Sequence, residues 1–225
     1  MKLRDSLKII AIIMLIESVI FALRQPFMSN FDTLHAHFGQ FATIAKLYYL
    51  DVSIWLQTTL YVLFAGHIVW LGSRIPSARF GSYFVLDAIV AVVNAIVVTV
   101  AQEFEIYGFY LKIVAEAAAI VTCFYAGWTI FKDLHIKAVQ TICFSYMVLS
   151  ARHLLYCFVL AFTLFSYGVE GLSTTALQDK KAINIAWMLL IPLFLISRYL
   201  LFIGAKRLKE NADEKEKERE EIAIV

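Results

Sequence analysis

The sequence predicts an all-α fold, a polytopic membrane helix bundle with six transmembrane helices and both termini cytoplasmic. Of the 225 residues, 61% are hydrophobic and only 17% are charged, and the mean hydropathy is +0.74. Soluble domains of this length are less apolar, so the composition indicates a membrane protein. Apolar runs of roughly 20 residues, the length that crosses the hydrocarbon core as a helix, occupy 7–24, 52–73, 80–102, 107–131, 138–166 and 182–205.

The first apolar run is expected to be a retained membrane anchor rather than a cleaved signal peptide. Basic residues precede it, but Glu17 interrupts the run, and the stretch 23–25 lacks the small residues of a cleavage site. The connection that follows is long and rich in aromatic residues. It predicts an outer interfacial helix near 30–50 that starts with Asn30 or Asp32 as its N-cap.

The charges of the turns predict the orientation of the chain in the membrane. Lys and Arg near helix ends favour the cytoplasmic side, whereas the turn at 102–105 is acidic. With six spans, one side of the membrane receives the basic N-terminus, the Arg74/Arg79 turn, the Lys132/Lys137 turn and the Lys206/Arg207 turn. Lys180 and Lys181, in the turn at 167–181, are the exception. The chain is therefore expected to divide into a transmembrane domain, 1–205, and a charged cytoplasmic helical tail, 206–225.

Ionisable residues inside the predicted spans form the candidate site. Counted at ~1.5 Å per residue, Glu17 and Glu116 fall near the midplane, while Lys112, Arg152 and His153 lie in the outer half. An unpaired charge at mid-bilayer is costly, so Arg152 is predicted to pair with Glu116 or Glu17. Glu17, Glu116, Arg152 and His153 together are the predicted ligand or ion site.

A second intramembrane pair is predicted between Asp87 and Arg198, both at roughly 10 Å from the cytoplasmic face. Two interpretations of the charged residues remain open. In the first, the pairs only fix helix order and register, or join the chain to a partner subunit. In the second, the outer cluster lines a water-filled cavity that binds a proton, an ion or a polar ligand.

The sequence offers residues for two kinds of metal centre. Asp32, His35 and His37 offer oxygen and imidazole ligands within six residues, which copper or zinc could use, although one short HxH motif is a weak signal. A haem between His67 and His153 is disfavoured because their predicted depths differ by about 13 Å. No cofactor is therefore predicted, and copper or zinc is the alternative.

Several function classes lack a signal in the sequence. It contains no GxSxG, HExxH, P-loop or GxGxxG motif in the context that an enzyme needs, so the prediction leans towards a non-enzymatic protein. The cysteines lie inside predicted spans and form no CxxC, which is typical of packing residues. A formal net charge of +2 does not indicate a nucleic-acid partner.

A weak internal repeat links two pairs of segments. "FAGHIVW" (64–70) is similar to "YAGWTIF" (125–131), and "SYFVLDA" (82–88) is similar to "SYMVLSA" (145–151). Either a duplicated helical hairpin or a shared use of Gly at crowded helix contacts would produce this similarity.

Four features of the sequence also carry a family resemblance. They are a span ending in a small residue, a basic turn, the segment "SYMVLSARHLLYCF" (145–158) and the charged tail at 206–221. Their layout resembles the multi-helix membrane sensor domains of prokaryotic signal-transduction proteins. In that family, six to eight helices precede a charged cytoplasmic helix that leads to an output module. No output domain follows the tail in this sequence, so the resemblance implies a sensor that acts through a partner.

These observations predict a non-enzymatic, multi-pass protein of the cell membrane that acts as a sensor, adaptor or accessory subunit. Its expected partners are the lipid bilayer and either another protein or a second copy of the chain. One alternative is a small transporter or channel with Glu17, Glu116 and Arg152 around a midplane site. The other is a metal-binding subunit of a membrane enzyme complex.

Overall fold

The computed structural model describes residues 3–72, 80–100, 105–133, 137–167 and 181–224, and it is helical almost throughout these ranges, without a strand. A π-helical turn, Tyr48–Val52, separates the fourth helix from the fifth. In chain order the helices are α1 (Leu3–Ala22), α2 (Arg24–Ser29), α3 (Phe31–Phe38), α4 (Gln40–Leu47), α5 (Ser53–Gly72), α6 (Phe80–Val100), α7 (Glu105–Asp133), α8 (Lys137–Tyr167) and α9 (Lys181–Ile224). The predicted all-α fold is confirmed, and each long helix coincides with one predicted apolar run.

Within the described ranges, four helical segments are long and apolar enough to cross a membrane. They are Asp5–Met28, Tyr110–Trp128, Lys137–Phe162 and Met188–Glu210. A fifth span results if Gln40–Leu50 and Ser53–Trp70, which meet at a bend of 46°, count as one. The apolar part of α6, Phe84–Val100, is shorter. Helices able to span a membrane are thus confirmed, while the number of six spans stays a prediction.

The six long helices form a closed ring. Each packs against the next one along the chain, and α9 packs against α1. An ion pair of 2.6 Å between Asp5 Oδ1 and Lys209 Nζ joins the start of α1 to the second half of α9. We call this end of the ring the tail end, and the opposite end, where α1 leads into the short helices, the α2–α4 end.

The tail half of the ring is filled by an apolar core. Leu7, Ala11 and Met14 recur at helical spacing and bury one side of α1. Ile9 and Ile13 on the other side of α1 are 44% and 42% exposed. A helix that is apolar on both its buried and its exposed sides is typical of a membrane span.

The connection at the α2–α4 end is helical but broken. Asn30 precedes α3, as expected, and Gly39 separates α3 from α4 with a φ of 52°, a conformation that glycine adopts without steric cost. Phe41, Ile44 and Leu47 of α4 are 80%, 63% and 54% exposed. An apolar outer side with this spacing suits a position at the membrane interface.

The turns that predict the orientation lie largely outside the described residues. This holds for the turn with Arg74 and Arg79, for residues 102–104 of the acidic turn, and for Lys180 in the turn at 167–181. The cytoplasmic position of both termini therefore stays a prediction.

Candidate ligand cavity

The half of the ring nearer the α2–α4 end encloses a cavity of about 440 Å³. All six long helices contribute to its wall, as do α2 and the π-helical turn. Tyr61, Cys123, Leu149 and Phe194 belong both to this wall and to the apolar core. The core therefore forms the floor of the cavity.

Glu116 of α7 and His153 of α8 meet at the cavity wall. His153 Nδ1 lies 2.5 Å from Glu116 Oε2, and Asn94 Nδ2 of α6 donates to Glu116 Oε1 at 3.2 Å. Only 5% of Glu116 and 8% of His153 is exposed. In the described structure the ion-pair partner of Glu116 is thus His153, whereas Arg152 acts on Glu116 only from beyond 4 Å.

Asp87 of α6 is satisfied by three neutral donors. Thr122 Oγ1 donates to its Oδ1 at 2.7 Å, Cys123 Sγ donates to the same oxygen at 3.1 Å, and the Tyr61 hydroxyl donates to its Oδ2. None of these partners was identified from the sequence. The available signal was the burial of a carboxylate in an apolar run, which requires donors on the neighbouring helices.

Arg198 of α9 does not form the direct ion pair with Asp87 that was predicted. Its guanidinium lies over two aromatic rings, 5.1 Å from the centroid of Tyr61 and 5.0 Å from that of Phe194. Tyr61 therefore stands between the two charges, with its hydroxyl on Asp87 and its ring face under the cation. Arg198 is only 6% exposed, and its Nη1 has no hydrogen-bond partner among the described residues.

Glu17 of α1 lies outside the cavity wall, so the predicted four-residue site is divided. Ser53 Oγ donates to Glu17 Oε1 at 2.8 Å and the Tyr48 hydroxyl donates to it at 3.0 Å. Glu17 Oε2 is buried and has no partner in the described ranges. The structure places Glu116, Arg152 and His153 together in the wall and Glu17 behind it.

The candidate metal residues do not converge. Asp32, His35 and His37 are all exposed on α3, and no group of three or more His, Cys, Asp or Glu side chains with metal-binding geometry occurs among the described residues. His37 Nδ1 lies 2.8 Å from the carbonyl of Thr33 on its own helix. Residues two apart on a helix point in different directions, which separates the two imidazoles.

Comparison with known proteins assigns the chain to no family. No family model matches it, and no curated protein or solved structure is significantly similar to it.

Proposed function

We propose that the chain is a six-span membrane protein with both termini in the cytoplasm, and that it acts without catalysis as a sensor or adaptor. A ligand in the cavity changes the position of α9, and α9 passes this change to its charged tail and to a partner protein. One observation carries the proposal: α9 supplies Phe194 and Arg198 to the cavity wall and continues as one helix to Ile224.

The geometry of α9 suits this role. A helix rises ~1.5 Å per residue, so about 39 Å separates Arg198 from Ile224 along one axis. The helix contacts its neighbours where it leaves the ring: Lys209 pairs with Asp5 at 2.6 Å, and Arg207 Nη1 donates to Thr141 Oγ1 at 3.1 Å. A ligand that binds more tightly to one position of α9 than to another shifts the equilibrium between the two positions. The size of the shift is set by the difference between the two binding free energies, and these contacts change with it.

The closed floor of the cavity favours a receptor over a channel. Phe64 is fully buried in the core below the cavity, and Phe84, Ile142 and Leu201 are each only 1% exposed. Among the described residues, these apolar side chains pack tightly on the tail side of the cavity, which disfavours an ion channel in this conformation.

The surroundings of His153 support a non-enzymatic role. A catalytic carboxylate and imidazole pair needs a nucleophile within hydrogen-bond reach of the second ring nitrogen. The described hydrogen-bond partner of His153 is Glu116 and not a hydroxyl or thiol, and Ser150 Oγ donates instead to the carbonyl of Ile120 at 2.8 Å.

Gentle detergent extraction tests the adaptor role. The full chain should co-purify with a stoichiometric protein partner, quantified by native electrophoresis and mass spectrometry. A variant that ends at Glu210 should lose the partner yet remain a monodisperse bundle. The control Phe41→Ser, at an exposed site on the other end, should keep the partner. A full chain that purifies alone, as a monomer or as a homo-oligomer, would refute the adaptor role.

Cysteine labelling tests the six spans. In a Cys157→Ala background, the remaining Cys123 and Cys143 are buried and should not react with a membrane-impermeant maleimide. Phe41→Cys should be labelled in intact cells, whereas Ser77→Cys and Glu210→Cys should be labelled only after permeabilisation. Labelling of Ser77→Cys in intact cells would mean that α5 does not cross the membrane, and six spans would be excluded.

A small coupled transporter is the second candidate. The carboxylate and imidazole of Glu116 and His153 at the wall of the cavity are the observation that favours it. Reconstituted vesicles should then show flux that depends on a solute or proton gradient and falls in the Glu116→Gln variant. Vesicles without flux under any gradient would refute transport.

A further inference from the structure

The cavity wall carries more positive than negative charge. Four cationic side chains line it, Arg24, Lys112, Arg152 and Arg198, together with the two carboxylates of Asp87 and Glu116. None of the four cations forms an ion pair within 4 Å among the described residues. Glu17 acts on Arg198 from behind the wall, but its described donors are the neutral hydroxyl groups of Ser53 and Tyr48 and the amide of Gln57.

Each of the four cations lies beside an aromatic ring. Lys112 Nζ lies 5.2 Å from the ring centroid of Tyr156, and the guanidinium carbon of Arg24 lies 5.7 Å from that of Phe21. Deeper in the cavity, the guanidinium carbons of Arg152 and Arg198 both lie 5.0 Å from the ring centroid of Phe194. The two guanidinium carbons therefore lie at most ~10 Å apart, and Arg152 acts electrostatically on Arg198. Two like charges at this separation are costly in a low-dielectric interior without an anion near them.

Among the described residues, neither carboxylate of the wall lies within 4 Å of an arginine nitrogen, and their oxygens accept hydrogen bonds from other groups. Asp87 accepts three, and Glu116 accepts from His153 and Asn94. Arg198 is only 6% exposed, and one of its terminal nitrogens, Nη1, has no hydrogen-bond partner in the described part of the chain. A paired, partly unsatisfied guanidinium site is suited to a bidentate phosphate or carboxylate group.

The rest of the cavity is suited to an apolar group. Ala91, Ala95, Val98 and Leu149 contribute apolar surface to the wall. The cavity volume of about 440 Å³ lies within the ~300–1,000 Å³ of small-molecule sites, so a bare inorganic anion would leave most of it empty.

The cavity also reaches the protein surface between α5 and α6. Leu50, Trp55 and Thr99 line it, and each is also exposed, Leu50 by 36% and Trp55 by 41%. An exposed tryptophan near the end of an apolar helix is typical of the membrane interface. A ligand entering here would come from the outer leaflet in the proposed orientation.

We propose that the cavity binds an amphiphile with one acidic headgroup, a phosphate or a carboxylate held by Arg152 and Arg198, with its apolar part along α6. This inference rests on the proposed function, because it names the ligand class of the same cavity. The headgroup provides the anion that the paired guanidinium groups lack, and the apolar part fills the remaining volume.

Binding of short-chain lipids to the purified full chain tests the proposal. Dioctanoyl phosphatidic acid, titrated below its micellar concentration, should bind at least ~10-fold more tightly than dioctanoyl phosphatidylcholine, and inorganic phosphate should not compete at similar concentrations. Equal affinity for the two lipids would overturn the acidic headgroup. Inorganic phosphate binding as tightly as phosphatidic acid would overturn the amphiphile and identify a free anion as the ligand.

Arginine variants locate the headgroup. Arg152→Gln should weaken binding of phosphatidic acid by about 10–100-fold, the value of a charge-assisted hydrogen bond, and Arg152→Lys should weaken it less. Arg207→Gln, at the tail end outside the cavity, is the matched control and should bind as the native chain does. Arg152 is half-buried, so its variant is expected to fold even where Arg198→Gln does not. Unchanged affinity in Arg152→Gln would overturn the site.

A separate measurement distinguishes this proposal from the sensor role. Spin labels on Phe41→Cys and Glu210→Cys in the Cys157→Ala background report the position of α9 relative to the other end of the ring. Binding of phosphatidic acid that requires Arg152 but leaves this distance unchanged would confirm the site and refute the sensor. A change in distance on binding supports both.

Discussion

Gly127 is predicted to be required for the close contact between α7 and α8. A Cβ atom at this position would lie 2.7 Å from the carbonyl oxygen of Cys143 and 2.8 Å from Met147 Cγ. The first distance is about 0.7 Å short of the 3.4 Å at which ordinary contact begins. The Met147 side chain can move, but the Cys143 carbonyl belongs to the backbone of α8, so the two helices would have to separate.

Gly66 provides a matched control for this substitution. It occupies the equivalent place in the repeated motif on α5, and a Cβ atom there would meet nothing within 4 Å. Replacing either glycine by alanine gains ~1 kcal/mol of helix propensity, while overpacking at Gly127 costs about 1–3 kcal/mol. The propensity gain cancels in the comparison, so Gly127→Ala should be less stable than Gly66→Ala by about 1–3 kcal/mol.

Thermal unfolding in a mild detergent measures this difference. At about 2–4 °C per kcal/mol for a chain of this size, Gly127→Ala should unfold at a clearly lower temperature than Gly66→Ala. The larger pair, Gly127→Leu and Gly66→Leu, should increase the separation. Equal unfolding temperatures within each pair would show that α7 and α8 do not approach each other as closely as described.

Two further predictions concern the buried polar contacts. Tyr61→Phe removes a hydrogen-bond donor from Asp87 and should lower the free energy of unfolding by about 1–3 kcal/mol. The same change at Tyr199, which is 53% exposed, should have no measurable effect. An equal effect at both positions would refute the contact between Tyr61 and Asp87. His153→Phe leaves the buried carboxylate of Glu116 without its ion-pair partner and should lower the free energy of unfolding by about 3–5 kcal/mol. Adding Glu116→Leu to this variant should recover part of the lost stability. A further loss of stability in the double variant would contradict the pairing of Glu116 with His153.

The repeat in the sequence has a clearer meaning once both glycines are placed. Close helix packing explains why glycine occupies position 127, since Gly127 is buried against α8. It does not explain Gly66, which is exposed. Common packing therefore does not account for the glycine in both motifs, and duplication of a helical hairpin stays one of the two alternatives.

The positions of the long helices could be predicted because they depend on composition along the chain. The run predicted at 107–131 corresponds to α7, Glu105–Asp133, and the run at 138–166 corresponds to α8, Lys137–Tyr167. Length and apolarity decide where such a helix begins and ends. The break at Gly39 was missed, because a single glycine within a helical pattern is also compatible with an unbroken helix.

The contacts between helices could not be predicted in the same way. The depth of a residue follows from its distance to a helix end, but its direction around the helix axis depends on how the helices rotate against one another. Arg152 and His153 have almost the same depth, and only His153 reaches the carboxylate of Glu116. Asp87 and Arg198 were likewise matched by depth, and Tyr61 lies between them.

The errors in pairing change the meaning of the charge balance. Counted along the sequence, the intramembrane carboxylates and cations balance, which favours mutual neutralisation. In the folded chain, the described donors to Glu17 and Asp87 are neutral hydroxyl, amide and thiol groups, and the ion-pair partner of Glu116 is His153. The arginines lie on aromatic rings instead. None of these carboxylates has an arginine as its described ion-pair partner, so the arginines are available to hold an anion that the described residues do not supply.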